Sequence, residues 1–231
     1  MKRIGLIGGT SWESTVPYYE IINRYILRHT GGIHTADLIL RSLNFHEIES
    51  RVLSGRLDEC FDIMATAAKE LETAGADFLA ICSNTLHKTI PAIEEATDLP
   101  IIHIVDVTAE RMRQSGLNKA LLLGTKLTME ESFNSDRFRS LGFDTFIPNL
   151  AERDKTNDII FGQLCKGHFE DGSRQIYKNI IDKYCSDDTV GAILGCTEIG
   201  MLITQKDVDA PVFDTTEIHA EEIARYALQD L

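Results

Sequence analysis

Residues 76–88 read ADFLAICSNTLHK and residues 190–200 read VGAILGCTEIG. Each is a nearly unbroken apolar run that ends in a cysteine and passes at once into polar turn residues. A strand buried on both faces of a parallel sheet has this character, because neither side of its pleat meets water. KRIGLIGG, TADLILRSL and PIIHIV in the first half share it, as do KALLLGT, FDTFIP and APVFDT in the second. Segments of helical period lie between them. Leu57, Cys60, Phe61, Met64, Ala68 and Leu71 recur at three- and four-residue steps and form one apolar stripe. Further helices are predicted near 14–29, 85–97, 105–115, 128–141, 151–166, 173–185 and 216–229. Strands alternating with helices over short connections specify an α/β fold with parallel strands and right-handed crossovers.

The two quoted stretches also belong to an internal echo. GLIGGT, AIC and LPIIHIVDVTAE follow one another in the first half; LLLGT, LGC and APVFDTTEIHAE follow in the second. Gly9 precedes Cys82 by 73 residues, and Gly124 precedes Cys196 by 72. The predicted architecture is therefore two pseudo-symmetric lobes, each a parallel sheet flanked by helices, with the active site in the cleft between them. Residues 1–115 form the N-terminal lobe and 116–231 the C-terminal lobe, with the helix at 216–231 able to pack back on the first. Both cysteines fall at carboxyl ends of parallel strands, where open α/β sheets place ligands.

Composition narrows the class. The 231 residues carry 23 basic and 36 acidic side chains, a net charge of −13. No cluster of Lys and Arg is present to neutralise phosphates, which argues against nucleic acid or an anionic membrane as partner. The N-terminal apolar stretch in MKRIGLIGG is too short for a signal peptide or a membrane span. A cytoplasmic location and free thiols are expected. Cys60, Cys82, Cys165, Cys185 and Cys196 contain no CxxC pair, so no structural zinc site is expected. GxGxxG is absent, since the N-terminal glycines stand at Gly5, Gly8 and Gly9, so a dinucleotide is not expected either.

A thiol at each side of one cleft has a specific chemical use. Two acid–base groups on opposite faces of a carbon can remove a proton from one side and deliver one to the other, inverting the centre. If each sulfur approaches within roughly 3–3.5 Å of that carbon, the two lie about 7 Å apart. Thiols titrate close enough to neutrality to serve as either partner. A buried cysteine ending a strand is more commonly a small core residue. That reading is assigned to Cys60, Cys165 and Cys185, whereas mirrored placement and polar flanks single out Cys82 and Cys196.

The residues CSNTLH and GCTEIG, together with IGLIGGTSWEST and PVFDTTEIHAE, closely resemble the aspartate/glutamate racemase family. The resemblance runs from Ile4 to about Ala227. It implies the two-lobed fold, a homodimer, and racemisation of a small amino acid without pyridoxal phosphate or metal. On that resemblance Cys82 and Cys196 are the acid/base residues, each serving one enantiomer. Ser83, Asn84, Thr85 and Thr197 meet the substrate's carboxylates, and the Gly8-Gly9-Thr10-Ser11 loop forms the cleft floor. Glu198 and His87 are candidates to orient the thiols. Arg51 and Lys166 are candidates for the side-chain carboxylate of aspartate or glutamate, although some members carry the basic residue where this chain has Cys165. Two alternatives remain: a decarboxylase or isomerase of a small diacid, and a non-catalytic dicarboxylate-binding protein. Retention of both cysteines weighs against the first and leaves the second with unexplained thiols.

Overall fold

The computed structural model describes residues 1–229, so the last two positions of the expected C-terminal helix lie outside the described residues. The chain divides into two compact units, Met1–His103 joined by the chain from His219 onward, and Ile104–Ile218. The first unit contains β1 (Ile4–Gly8), α1 (Trp12–Thr30), β2 (Leu38–Ser42), α2 (Phe45–Leu53), α3 (Asp58–Thr73) and β3 (Phe78–Ile81). A 3-10 turn at Thr85–Thr89 then leads into α4 (Ile90–Ala96). Its sheet is parallel, in the order β2-β1-β3, with Ile4 opposite both Leu38 and Phe78.

The period of two along these strands sorts side chains onto two faces. Ile7, Leu79 and Ile81 pack with Cys60, Met64, Ala68 and Leu71 of α3. Ile4, Leu6, Phe78, Ala80 and Cys82 pack with Tyr18, Ile22 and Ile26 of α1. Ala220, Ile223, Ala224 and Ala227 complete that second face.

The second unit comprises α5 (Ile104–Gln114), β4 (Lys119–Gly124), α6 (Lys126–Glu130), α7 (Ser132–Ser140), β5 (Asp144–Phe146) and α8 (Leu150–Gly162). After a 3-10 turn at Leu164–Lys166 come α9 (Asp171–Tyr184), β6 (Val190–Gly195), α10 (Ile199–Leu202) and β7 (Val212–Asp214). The unit ends within α11 (Thr215–Ala227). Its parallel sheet runs β5-β4-β6-β7. Leu121, Leu123, Ala192 and Leu194 face α8 and α9 through Ile159, Ile160, Tyr177 and Ile181. Ala120, Leu122 and Ile193 face Ile104, Ala109 and Met112 of α5 and Phe138 of α7. This packing moves the division of the chain ahead of residue 115, because the apolar face of α5 is buried against β4.

Several expected elements take a different form. PIIHIV, read as a strand, makes one parallel bridge, Ile101 to Leu79, before α5 begins. The end of its apolar run, Ile104 and Val105, is buried on the face of α5 instead. The helix expected at 85–97 starts as a 3-10 turn. Pro91, in the first turn of α4, has no N–H to continue it. Extended backbone at Glu131 separates α6 from α7. Asn149 starts α8 with a reciprocal capping box to Glu152. Among the described residues, no helix is long and apolar enough to cross a membrane.

Candidate active site

In the first unit, β1 and β3 are parallel neighbours, so their carboxyl ends emerge at the same sheet edge. Cys82 follows β3 directly and is fully buried, its N–H donating to the Ile7 carbonyl at 2.9 Å. Beside it, the Thr10 hydroxyl donates to the Cys82 carbonyl at 3.4 Å. Gly9 turns this loop with φ 76°, and a Cβ there would collide with the backbone of Leu43. The Gly9 N–H donates to Thr15 Oγ1 at 2.9 Å, and the Thr15 and Ser14 hydroxyls donate to the Ser11 carbonyl at 3.0 and 2.9 Å.

Ser11 itself stands at φ 103°, a conformation that costs a side-chain-bearing residue on the order of 1–3 kcal/mol. Its buried hydroxyl has no hydrogen-bond partner. Such a group, at the start of a 19-residue helix whose N-terminus carries partial positive charge, suits an anion. Ser83, Asn84 and Thr85 follow Cys82 in a tight turn: the Leu86 N–H donates to Ser83 Oγ at 3.4 Å, and the His87 N–H to the Asn84 carbonyl at 3.2 Å. The structure thus gathers Thr10, Ser11, Cys82, Ser83, Asn84 and Thr85 at one sheet edge. Arg51 lies on α2, where its guanidinium donates to Glu59 Oε2 at 3.1 Å and to the Glu47 carbonyl at 2.6 Å.

In the second unit Cys196 follows β6 directly, and the site is built around a carboxylate. Glu198 is buried; its Oε2 accepts from the Cys196 thiol at 3.0 Å and from the Thr197 hydroxyl at 2.8 Å. Its Oε1 accepts from the Cys165 thiol at 3.6 Å. Lys166, one residue further along the 3-10 turn, is exposed. Sequence reading assigned Cys165 to the core and missed this contact. Its 33-residue separation from Glu198 leaves no periodic trace, and the one local signal was its place beside Lys166.

Both thiols are held in their neutral form. Burial pushes the Cys82 thiol well above the ordinary cysteine value. Burial does the same to Cys196, and the negative charge of Glu198 adds to it. Asp214, at the end of β7, is lifted by burial to about 6 while its Oδ1 accepts from the Thr216 N–H at 2.8 Å.

The chain as a whole, taken over nearly its full length, has counterparts among known proteins. The family model described as Asp/Glu/Hydantoin racemase matches residues 7–223. A candidate Asp/Glu racemase from Yersinia pestis, of solved structure, is 43% identical with a TM-score of 0.91, over 99% of this chain and 100% of that one. An aspartate racemase homologue from Pyrococcus horikoshii OT3 is 36% identical with a TM-score of 0.82, over 98% and 99% of the two chains. The broad specificity amino-acid racemase RacX of Bacillus subtilis (strain 168) is 21% identical over 216 residues, 92% of each chain.

Proposed function

Because this chain belongs to the Asp/Glu/hydantoin racemase family, and is thereby an amino-acid racemase and an isomerase, we propose that it interconverts L- and D-aspartate, glutamate or both, with Cys82 and Cys196 as the two bases. The observation that carries the reading is that each unit independently places a buried thiol at the carboxyl end of a parallel strand, among polar turn residues. In the forward direction one sulfur, as thiolate, takes the α-proton. The other, as thiol, gives its proton to the opposite face of the carbon, so the two exchange protonation states at each turnover. For Cys196, Glu198 is the natural acceptor of the thiol proton, since the two are already hydrogen-bonded. For Cys82, the ammonium of the bound zwitterion supplies the nearby positive charge that favours a thiolate.

The α-hydrogen of an amino acid is far less acidic than a thiol, so negative charge growing on the α-carboxylate needs fixed donors in a site closed to water. Thr10, Ser11, Ser83, Asn84, Thr85 and Thr197 are assigned that task. The unpartnered Ser11 hydroxyl and the strain stored beneath it support the assignment. Arg51, released from Glu59, or Lys166 receives a side-chain carboxylate. The same reading carries a homodimer working in the cytoplasm on a free amino acid, with no dependence on pyridoxal phosphate.

One observation favours a second reading, in which the accepted side chains are more varied. Arg51 is already engaged with Glu59, and Lys166 is exposed. Arg51 must leave Glu59 before it can take a second carboxylate, and the matched relative from Bacillus subtilis is described as broad in specificity. Proton NMR of the protein with L- and D-aspartate, L- and D-glutamate and uncharged amino acids in D₂O, followed by chiral chromatography, separates the readings. Loss of the α-proton signal with appearance of the opposite enantiomer supports racemisation and ranks the substrates. Absence of exchange in every case, with the thiols reduced, moves the assignment to diacid decarboxylation or isomerisation, or to dicarboxylate binding.

A further inference from the structure

We propose that His87 is a positioning residue that fixes the peptide between Ser83 and Asn84 and so aims the Asn84 amide for catalysis. The catalytic consequence rests on the racemase reading; the structural part stands without it. His87 is buried, and its Nδ1 lies 2.6 Å from the Ser83 carbonyl oxygen. A carbonyl can only accept, so Nδ1 carries the proton and donates. The Ser83–Asn84 peptide is trans and planar, and its C=O and N–H point in opposite directions. Holding the carbonyl towards His87 therefore directs the Asn84 N–H away from it. That amide lies two residues beyond Cys82, in the turn assigned to the α-carboxylate.

The imidazole is itself braced. The ring of His219 meets it edge-on at 5.7 Å between centroids, and the ring of His103 lies at 4.7 Å. His219 is locked in turn, with its Nε2–H on the Ile102 carbonyl at 2.8 Å and its Nδ1 accepting from the Tyr18 hydroxyl at 2.9 Å. Burial keeps His219 uncharged, so its neighbour packs against a neutral ring. A short chain of contacts thus runs from Tyr18 on α1, through two imidazoles, to the peptide after the thiol. Pre-set donors of this kind act where charge grows in the transition state, so their loss lowers kcat more than it raises KM.

Histidine offers two nitrogens, and each has an amide mimic. Asparagine places its Nδ2 near the position of Nδ1, whereas glutamine reaches towards the position of Nε2. The test compares His87→Asn, His87→Gln and His87→Ala. It reads thermal melting, kcat and KM for both enantiomers, and the Asn84 amide resonance in ¹H–¹⁵N spectra. The expected result is a kcat loss of about tenfold or more in His87→Gln and His87→Ala, with KM little changed and His87→Asn restored to within about threefold. The Asn84 resonance moves in His87→Gln and returns in His87→Asn. Equal activity, or an equal loss, in the Asn and Gln variants with an unmoved Asn84 resonance overturns the inference. If the wild-type protein exchanges no α-proton, the racemase reading falls, and the Asn84 resonance still decides whether His87 sets the peptide.

Discussion

The fully buried His219 should make the first unit acid-sensitive through a window set by one side chain. Burial lowers its pKa from 6.5 to about 4, because a charged imidazole there would lose its hydration and gain only one carbonyl partner. The folded value lies below the unfolded one, so between them the unfolded chain binds a proton that the folded chain does not. Stability therefore falls as pH drops from 6.5 towards 4 and levels out below that. At 1.36 kcal/mol per pH unit, the full loss is about 3 kcal/mol, of which about 2 kcal/mol has gone by pH 5. The single tryptophan, Trp12 at the start of α1, reports this unit by fluorescence. Urea unfolding at pH 7, 6, 5 and 4.5 should show the midpoint falling in the wild type. In His219→Gln, which keeps a donor for Ile102 and cannot titrate, stability at low pH, taken relative to pH 7, should exceed that of the wild type by that amount. The comparison matters because Asp214, lifted by burial to about 6, acts in the opposite sense and favours the folded state as pH drops below that value. Identical pH profiles for wild type and variant would refute the argument that His219 is held neutral by the fold.

Cys82→Ala and Cys196→Ala should each abolish racemisation while melting like the wild type, and each is expected to keep solvent exchange of the α-proton from one enantiomer; substantial two-way turnover by either variant contradicts the two-base mechanism. Glu198→Gln should lower kcat and shift the alkylation of Cys196 by iodoacetamide to lower pH, because the carboxylate that raises the thiol's pKa is gone; peptide mapping of the modified residue reads it, and an unmoved profile counts against the pairing. Ser11→Gly should stabilise the protein by about 1 kcal/mol through relief of its positive φ while raising KM, so a variant that melts no higher argues against strain at that position. Removal of pyridoxal phosphate by exhaustive dialysis should leave turnover unchanged; activity lost and then restored by its return contradicts the mechanism.

Patterns that depend on neighbours in sequence were legible beforehand, and those that depend on meetings in space were not. β1, β3, β4 and β6 stood out because strands covered on both faces admit little but apolar residues, and the thiols were placed at strand ends by the abrupt change to SNT and TEI. PIIHIV deceived because the apolar requirement of a bridge and that of a helix face are alike over four residues. α2 and α10 escape the sequence reading because nine and four residues are too few to display a helical period. The meeting of Cys165 with Glu198 joins a 3-10 turn to the end of a strand, and no spacing encodes it. Arg51 is a sequence candidate for the side-chain carboxylate of a substrate; its partner Glu59 stands eight residues away on the next helix, beyond a turn that periodicity does not cross. The strain at Ser11 left no trace either, since serine is an ordinary residue before a helix.

The first unit draws Ala220, Ile223, Ala224 and Ala227 into the same cluster as Ile4, Leu6 and Phe78. During synthesis its strands and first helices exist long before those residues do. From His103 to Ala227 the ribosome must add 124 residues, which takes roughly 6–25 s at ordinary elongation rates. Through that interval one side of the nascent sheet lacks part of its cover. The second unit closes almost as late, because Ile104 and Val105 share a buried cluster with Phe213 and Ile218, so both sheets reach full cover only as synthesis of the chain nears its end.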